Sequence, residues 1–274
     1  MKRMDVSTYS QHRLTLPTVA SQKSVASQKA AAILVGHGSI HSDSGKSMIR
    51  IAARLRKKGL IPIVEAGFLN YNQPTLADAV QKCKAQGATQ IIVQPYFLID
   101  GQYASQDLPR AVQAVAVEEP TVRFVIGKTF GYHTALINLA MKRIRAVDSQ
   151  PRAQTALLFA AHGTPLTAAN APIVCTAEAV GKQLGYGTTL VGYLDCNQPT
   201  ILDAIDQLVA AGYVRIVIQP YFLHLGRHVR TDLPALFTDA RNCHRDVEII
   251  AAHHLDYDPL LVDVTTERVM ALLR

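Results

Sequence analysis

Cysteine is scarce in this chain of 274 residues, and none of it is paired for metal binding. Cys83, Cys175, Cys196 and Cys243 form no C-x-x-C pair, which excludes a zinc knuckle and a four-cysteine cluster. A reducing compartment is the expectation. Cys83 and Cys175 fall within helical patterns and are expected to be buried. No run approaches the roughly 18 uncharged apolar residues that a membrane span needs. Acids are outnumbered, 21 against 28 bases, for a net charge of +7. That surplus favours an anionic partner. No basic cluster is interleaved with aromatics, so nucleic acid is a poor candidate for that partner. Residues 1–30 hold one acid, Asp5, and lack the apolar stretch of a secretory signal. They are rich in Ser and Thr and carry Lys2, Arg3, Arg13, Lys23 and Lys29. A disordered extension of a cytoplasmic protein is the simpler expectation; a plastid transit peptide has the same composition.

What the chain does have is a duplication. Residues 31–145 and 156–270 align without a gap at a constant spacing of 125 residues. Gln73-Pro74-Thr75 recurs as Gln198-Pro199-Thr200, Gln94-Pro95-Tyr96-Phe97-Leu98 as Gln219-Pro220-Tyr221-Phe222-Leu223, and Asp107-Leu108-Pro109 as Asp232-Leu233-Pro234. Apolar runs near 31–35, 61–69, 90–98 and 121–126, repeated near 155–161, 188–194, 214–223 and 246–251, show little alternation, as strands covered on both faces do. Amphipathic helical segments separate them. The pattern predicts an α/β protein of two similar domains, each an open parallel sheet flanked by helices and each with its own modest core. The boundaries are 31–150 and 151–274, with a linker near Asp148-Ser149-Gln150-Pro151-Arg152.

The copies differ in chemistry. His37-Gly38 recurs as His162-Gly163, but Tyr103 stands opposite His228 and Asn70 opposite Asp195. In open parallel sheets ligands sit beyond the carboxyl ends of the strands. His162, Asp195 and His228 each follow a predicted strand of the second half, so they are expected at one sheet edge. Two imidazoles with open positions suit a catalytic metal site for divalent iron, cobalt, nickel or zinc. Asp195 is a third ligand, an orienting partner or a proton acceptor. Arg227 and Arg230 flank His228 and can hold carboxylates as planar forks. Gly226 matches Gly101, so the loop shape is shared. Ser39 and Thr164 precede the first helix of each half and are expected to cap it or to bring backbone donors to an anionic substrate. Leu223 ends the buried Gln-Pro-Tyr-Phe-Leu run that leads into the site loop, and with Gly226 it is expected to contact the substrate. His37 lacks an imidazole partner, with His41 nearby in a loop, and Tyr103 is a stacking wall for a ligand.

Gly-His-Gly-Ser at 36–39, Phe-Leu-Asn at 68–70, the Gln-Pro-Thr repeat and Pro-Tyr-Phe-Leu-His-Leu-Gly-Arg-His at 220–228, followed by Asp-Leu-Pro, resemble the CbiX/SirB sirohydrochlorin chelatases in their long, two-domain form. The resemblance spans residues 31–270. It implies insertion of Fe²⁺ or Co²⁺, with Ni²⁺ as a third candidate, into sirohydrochlorin without ATP, for siroheme or cobalamin. The metal is then a substrate, and no tightly bound cofactor is implied. His162 and His228 match the family's two histidines, and Asp195 stands where the family often has Glu. The expected division of labour is His228 as metal carrier and His162 as base, in a basic cleft that attracts the polycarboxylate tetrapyrrole, in a monomer or weak homodimer. A non-catalytic metal or tetrapyrrole carrier is the alternative. A histidine phosphatase is a poor one, because Gly36 or Ala161 stands where such an enzyme needs Arg.

Overall fold

The structure is a computed structural model describing residues 29–39, 45–149 and 153–273. The expected N-terminal extension up to residue 28, and His41, lie outside the described residues. The first half runs β1 (Ala30–Gly36), α1 (Lys46–Lys58), β2 (Ile63–Phe68), α2 (Leu76–Ala85), β3 (Gln90–Pro95), α3 (Leu108–Glu118), β4 (Arg123–Ile126) and α4 (Thr134–Arg145). The second runs β5 (Ala156–Ala161), α5 (Ala171–Leu184), β6 (Thr188–Tyr193), α6 (Ile201–Ala210), β7 (Arg215–Pro220), α7 (Leu233–Cys243), β8 (Glu248–Ala251) and α8 (Pro259–Met270). The strands form two four-stranded parallel sheets in the orders β2-β1-β3-β4 and β6-β5-β7-β8. Their registers repeat too: Ala31 faces Ile63, and Ala156 faces Thr188.

Buried apolar runs make these strands. In β1 and β5 nearly every side chain is inaccessible, as both faces are covered by helices. β3 and β7 end at Pro95 and Pro220, earlier than the apolar runs predict. Proline donates no ladder hydrogen bond, and Phe97, Leu98, Phe222 and Leu223 leave the sheet to face the space between the halves. The repeated Gln-Pro-Thr is a helix start. Thr75 and Thr200 accept from the amides of Asp78 and Asp203, whose carboxylates accept in return from the threonine amides, at the heads of α2 and α6.

The expectation of two separate cores needs correction. Each outer sheet face has its own core, under α2 and α3 in one half and α6 and α7 in the other. The inner faces share a third core that joins Leu34, Met48, Tyr96 and Phe130 to Phe159, Ile173, Tyr221 and Leu261. Its helices are exchanged: α4 packs on β7 and α5, while α8 packs on β3 and α1. Polar bonds cross the same seam, from Lys142 to Asp258 at 2.6 Å and from Arg143 to the Leu255 carbonyl at 2.6 Å. Sequence periodicity finds helices but not the sheet each one covers, so this exchange is illegible in the pattern. Two smaller expectations also fail. Cys83 is buried, but Cys175 is exposed, because α5 turns Ile173, Thr176, Ala177 and Val180 inward instead. Ser39 and Thr164 do not cap helices: the cap positions are Gly45 before α1 and Asn170 before α5, neither with a side-chain cap bond.

Candidate metal centre

The strand order puts a topological switch point between β1 and β3, and again between β5 and β7. Their connections leave in opposite directions, which opens a crevice at the carboxyl ends. His37 and His162 step off β1 and β5 into these crevices. The turn depends on Gly38 and Gly163, both at φ +90°. A Cβ there would lie 1.8 Å from the Asn70 carbonyl oxygen or 2.1 Å from that of Asp195, so only glycine fits. The next amide, of Ser39 or Thr164, donates to Asn72 Oδ1 at 2.6 Å or Asn197 Oδ1 at 2.7 Å. The His-Gly turn is thus a structural device that also presents an imidazole.

The two crevices face each other and merge into one cleft of about 660 Å³. The halves interlock around it by pseudo-twofold symmetry. Gly101 lies against the Thr164 hydroxyl and Gly226 faces the Ser39 hydroxyl, 3.3 and 4.0 Å from the position of a built Cβ. His37, Tyr71, Phe97, Tyr103, His162, Leu223, Arg227, His228 and Val229 are among its walls.

His162 and His228 meet in this cleft, their ring centroids 4.8 Å apart and the planes at 72°. His162 Nδ1 lies 3.1 Å from the Gly163 carbonyl oxygen, and His228 Nδ1 2.7 Å from Asp232 Oδ2. Both partners can only accept, so in each neutral ring Nδ1 carries the proton and Nε2 keeps its lone pair. That is the tautomer a metal ligand needs. His228 opens a single π-helical turn, His228–Asp232, closed by the bond from the Leu233 amide to the His228 carbonyl. Such turns recur at functional sites because they re-aim side chains within a helix. Here the turn brings the carboxylate of residue 232 to Nδ1 of residue 228.

In the first half the same positions are filled differently. Tyr103 opens the matching π-helical turn, Tyr103–Asp107, and its ring covers His37 at 3.9 Å between centroids. Burial pushes the Tyr103 hydroxyl above its usual range, and Asp107 and Tyr71 add to the shift. An aromatic pair stands where the second half has two imidazoles.

Other predicted site residues fall unevenly. Thr164, Leu223, Gly226, Arg227, Tyr103 and Ser39 line the cleft; Arg230 does not. Arg230 is exposed, its Nε 3.4 Å from the Leu225 carbonyl oxygen. Asp195 sits at the expected sheet edge but on a neighbouring cavity with Cys175, Glu178 and Tyr193, and its carboxylate accepts from the Cys196 amide at 2.7 Å. The carboxylate beside the histidines is Asp232, which sequence reasoning missed. The i, i+4 spacing from His228 in a helical segment was the available signal. The cleft is also not basic: among its described walls Arg227 is the one guanidinium and no lysine appears. Basic residues instead gather elsewhere, as on the last turn of α1 with Arg56, Lys57 and Lys58.

The sequence profile of the CbiX family matches residues 31–147 and again 156–272. The chain belongs to the CbiX family. A sirohydrochlorin ferrochelatase of Priestia megaterium is 24% identical over 89% of this chain and 90% of its own length. A sirohydrochlorin cobaltochelatase of the same organism is 23% identical over 86% of this chain and 78% of its own. Among solved structures, SirB from Bacillus subtilis with Fe³⁺ has a TM-score of 0.79 at 19% identity, covering 89% of this chain and 95% of that one. The CbiX-family fold, with both repeats in one chain, is therefore shared across that length. No described helix is long and apolar enough to cross a membrane.

Proposed function

We propose that this CbiX-family protein is a chelatase that inserts Fe²⁺ or Co²⁺ into sirohydrochlorin, using the His162–His228 pair. The observation that carries the reading is the geometry of those two rings, each with Nδ1 bound to an acceptor and Nε2 left basic, 4.8 Å apart in one cleft. His228 takes the incoming cation through Nε2, and Asp232 keeps its other nitrogen protonated and the ring oriented. His162 accepts one inner pyrrole proton at Nε2 as the metal enters and releases it to solvent before the second is taken, a role suited to an imidazole near neutral pH. A ligand set of two imidazoles leaves coordination positions open for the macrocycle nitrogens, so the ion can be passed on.

The substrate reading rests on the cleft and on the relatives' activities together. Tyr71, Phe97, Tyr103, Leu223 and Val229 offer apolar walls for the faces of the macrocycle, and Arg227, with the hydroxyls of Ser39 and Thr164, offers donors for its carboxylates. Arg230 acts outside the cleft, on a carboxylate reaching the rim. The interlocked loops hold the two walls at a fixed separation, which favours a puckered ring over a flat one. Asp195 takes no direct part in metal binding in this scheme. The test is multiple turnover: purified protein at catalytic concentration, with sirohydrochlorin and Fe²⁺ or Co²⁺ supplied separately, followed by the change in tetrapyrrole absorbance. Turnover supports the chelatase. Binding without turnover leaves a carrier.

A further inference from the structure

Away from the cleft, the loop between β8 and α8 gathers His253, His254 and Asp256 so that one ligand atom of each lies within 4.8 Å of the others. None of the three is on the cleft wall. His253 repeats the arrangement of the histidines at the ends of β1 and β5. Its Nδ1 is 2.9 Å from the His254 carbonyl oxygen, as His37 Nδ1 is 2.9 Å from that of Gly38 and His162 Nδ1 3.1 Å from that of Gly163. Because a carbonyl only accepts, His253 also keeps its lone pair on Nε2. His254 is 4% exposed, stacks on His253 at 4.4 Å, and has a buried Nε2 without a hydrogen-bond partner. A buried polar atom in that state calls for an explanation, and an ion is one. Asp256 adopts a left-handed backbone, φ 46°, and its carboxylate accepts from the Ser47 hydroxyl at the start of α1.

We propose that His253, His254 and Asp256 form a second divalent-cation site, distinct from the His162–His228 pair. Two imidazole nitrogens and a carboxylate oxygen suit ions of the Co²⁺, Fe²⁺ and Zn²⁺ class rather than Mg²⁺ or Ca²⁺. Ligand atoms about 2.1 Å from one ion stand roughly 3.4 Å apart in a tetrahedral set, so atoms that already lie within 4.8 Å of one another close on an ion by movements on the order of 1 Å. Exposed His253 can supply that movement by rotating. The matching first-half residues are Lys128, Thr129 and Gly131, so the site belongs to the second repeat alone. Through Ser47 it also bears on the seam between the halves, and cation binding there raises the melting temperature.

This site stands independently of the chelatase reading, since its probe is Co²⁺ alone, without tetrapyrrole. Untagged full-length protein carrying His162→Ala and His228→Ala is titrated with CoCl₂ by calorimetry and by visible ligand-field absorption. The expected result is saturable binding of a single equivalent. Adding His253→Ala, or separately Asp256→Asn, should weaken it by about tenfold or more. The proposal is overturned if the double variant binds no Co²⁺ saturably, or if neither added substitution changes the affinity. His253 is exposed and Asp256→Asn preserves shape, so both proteins are expected to fold; a circular-dichroism melt checks this.

Discussion

Removing the Asp232 carboxylate takes away the contact that orients His228, together with a longer ion pair from Arg227 Nε at 3.6 Å. The His228 Nδ1 to Asp232 Oδ2 bond is 2.7 Å, between side chains that are 44% and 26% exposed. At that exposure the charge attraction is screened, so orientation and tautomer choice carry most of the effect. Without the acceptor, the imidazole samples both tautomers and more than one ring orientation. Loss of such an orienting partner lowers metal affinity or activity about 10–100-fold. With the pair this exposed the lower end applies: about tenfold for Asp232→Ala, equivalent to about 1.4 kcal/mol. The assay is an anaerobic Co²⁺ titration followed by initial rates of metal insertion. The duplication supplies the control, because Asp107 follows Tyr103 by four residues in the matching turn, as Asp232 follows His228. Asp107→Ala should change either quantity by less than about twofold. An unchanged Asp232→Ala protein, or equal losses in the two variants, would refute the reasoning.

Three further outcomes are expected. Tyr103→His places an imidazole beside His37 and four residues before Asp107, the arrangement of the second half, so Co²⁺ binding should rise by one equivalent; an unchanged stoichiometry counts against the assigned geometry. Arg227→Ala should weaken sirohydrochlorin binding roughly two- to fivefold at low salt and hardly at all at high salt, as for an exposed, screened charge; a salt-independent loss would mean packing. Glu119 is held below the usual carboxylate range by hydrogen bonds from Lys84 and Gln81. A depressed folded value gives stability that is present above the unfolded value and lost as pH falls through the folded one. Glu119→Gln should therefore destabilise more at pH 7 than at pH 3 in denaturant melts, and equal effects would remove the carboxylate from the explanation.

The repeat made much of this legible. Apolar runs without alternation located both parallel sheets, and the strand-end rule brought His162 and His228 to one edge from 66 residues apart. Contacts that depend on how the halves meet were not legible. The exchange of α4 and α8, the facing of Gly226 by Ser39 and the shared inner core have no local signature. Asp195 and Asp232 show the same limit. Asp195 lies 33 residues from either histidine in the chain, and Asp232 four residues beyond His228. The Cys196 amide holds one carboxylate toward a neighbouring cavity, and a π-helical turn aims the other at a ring. Net charge misled for a related reason: it counts residues without locating them, and the basic ones lie mostly off the cleft.

The most direct test compares single-histidine variants under multiple-turnover insertion of Co²⁺ into sirohydrochlorin. His162→Ala and His228→Ala should each lose about a hundredfold or more, the scale of a lost base or ligand, while His37→Ala, under its tyrosine lid, keeps most of the wild-type rate. Full activity in either of the first two variants, or an equal loss in the third, would contradict the claim that the second half carries the chemistry.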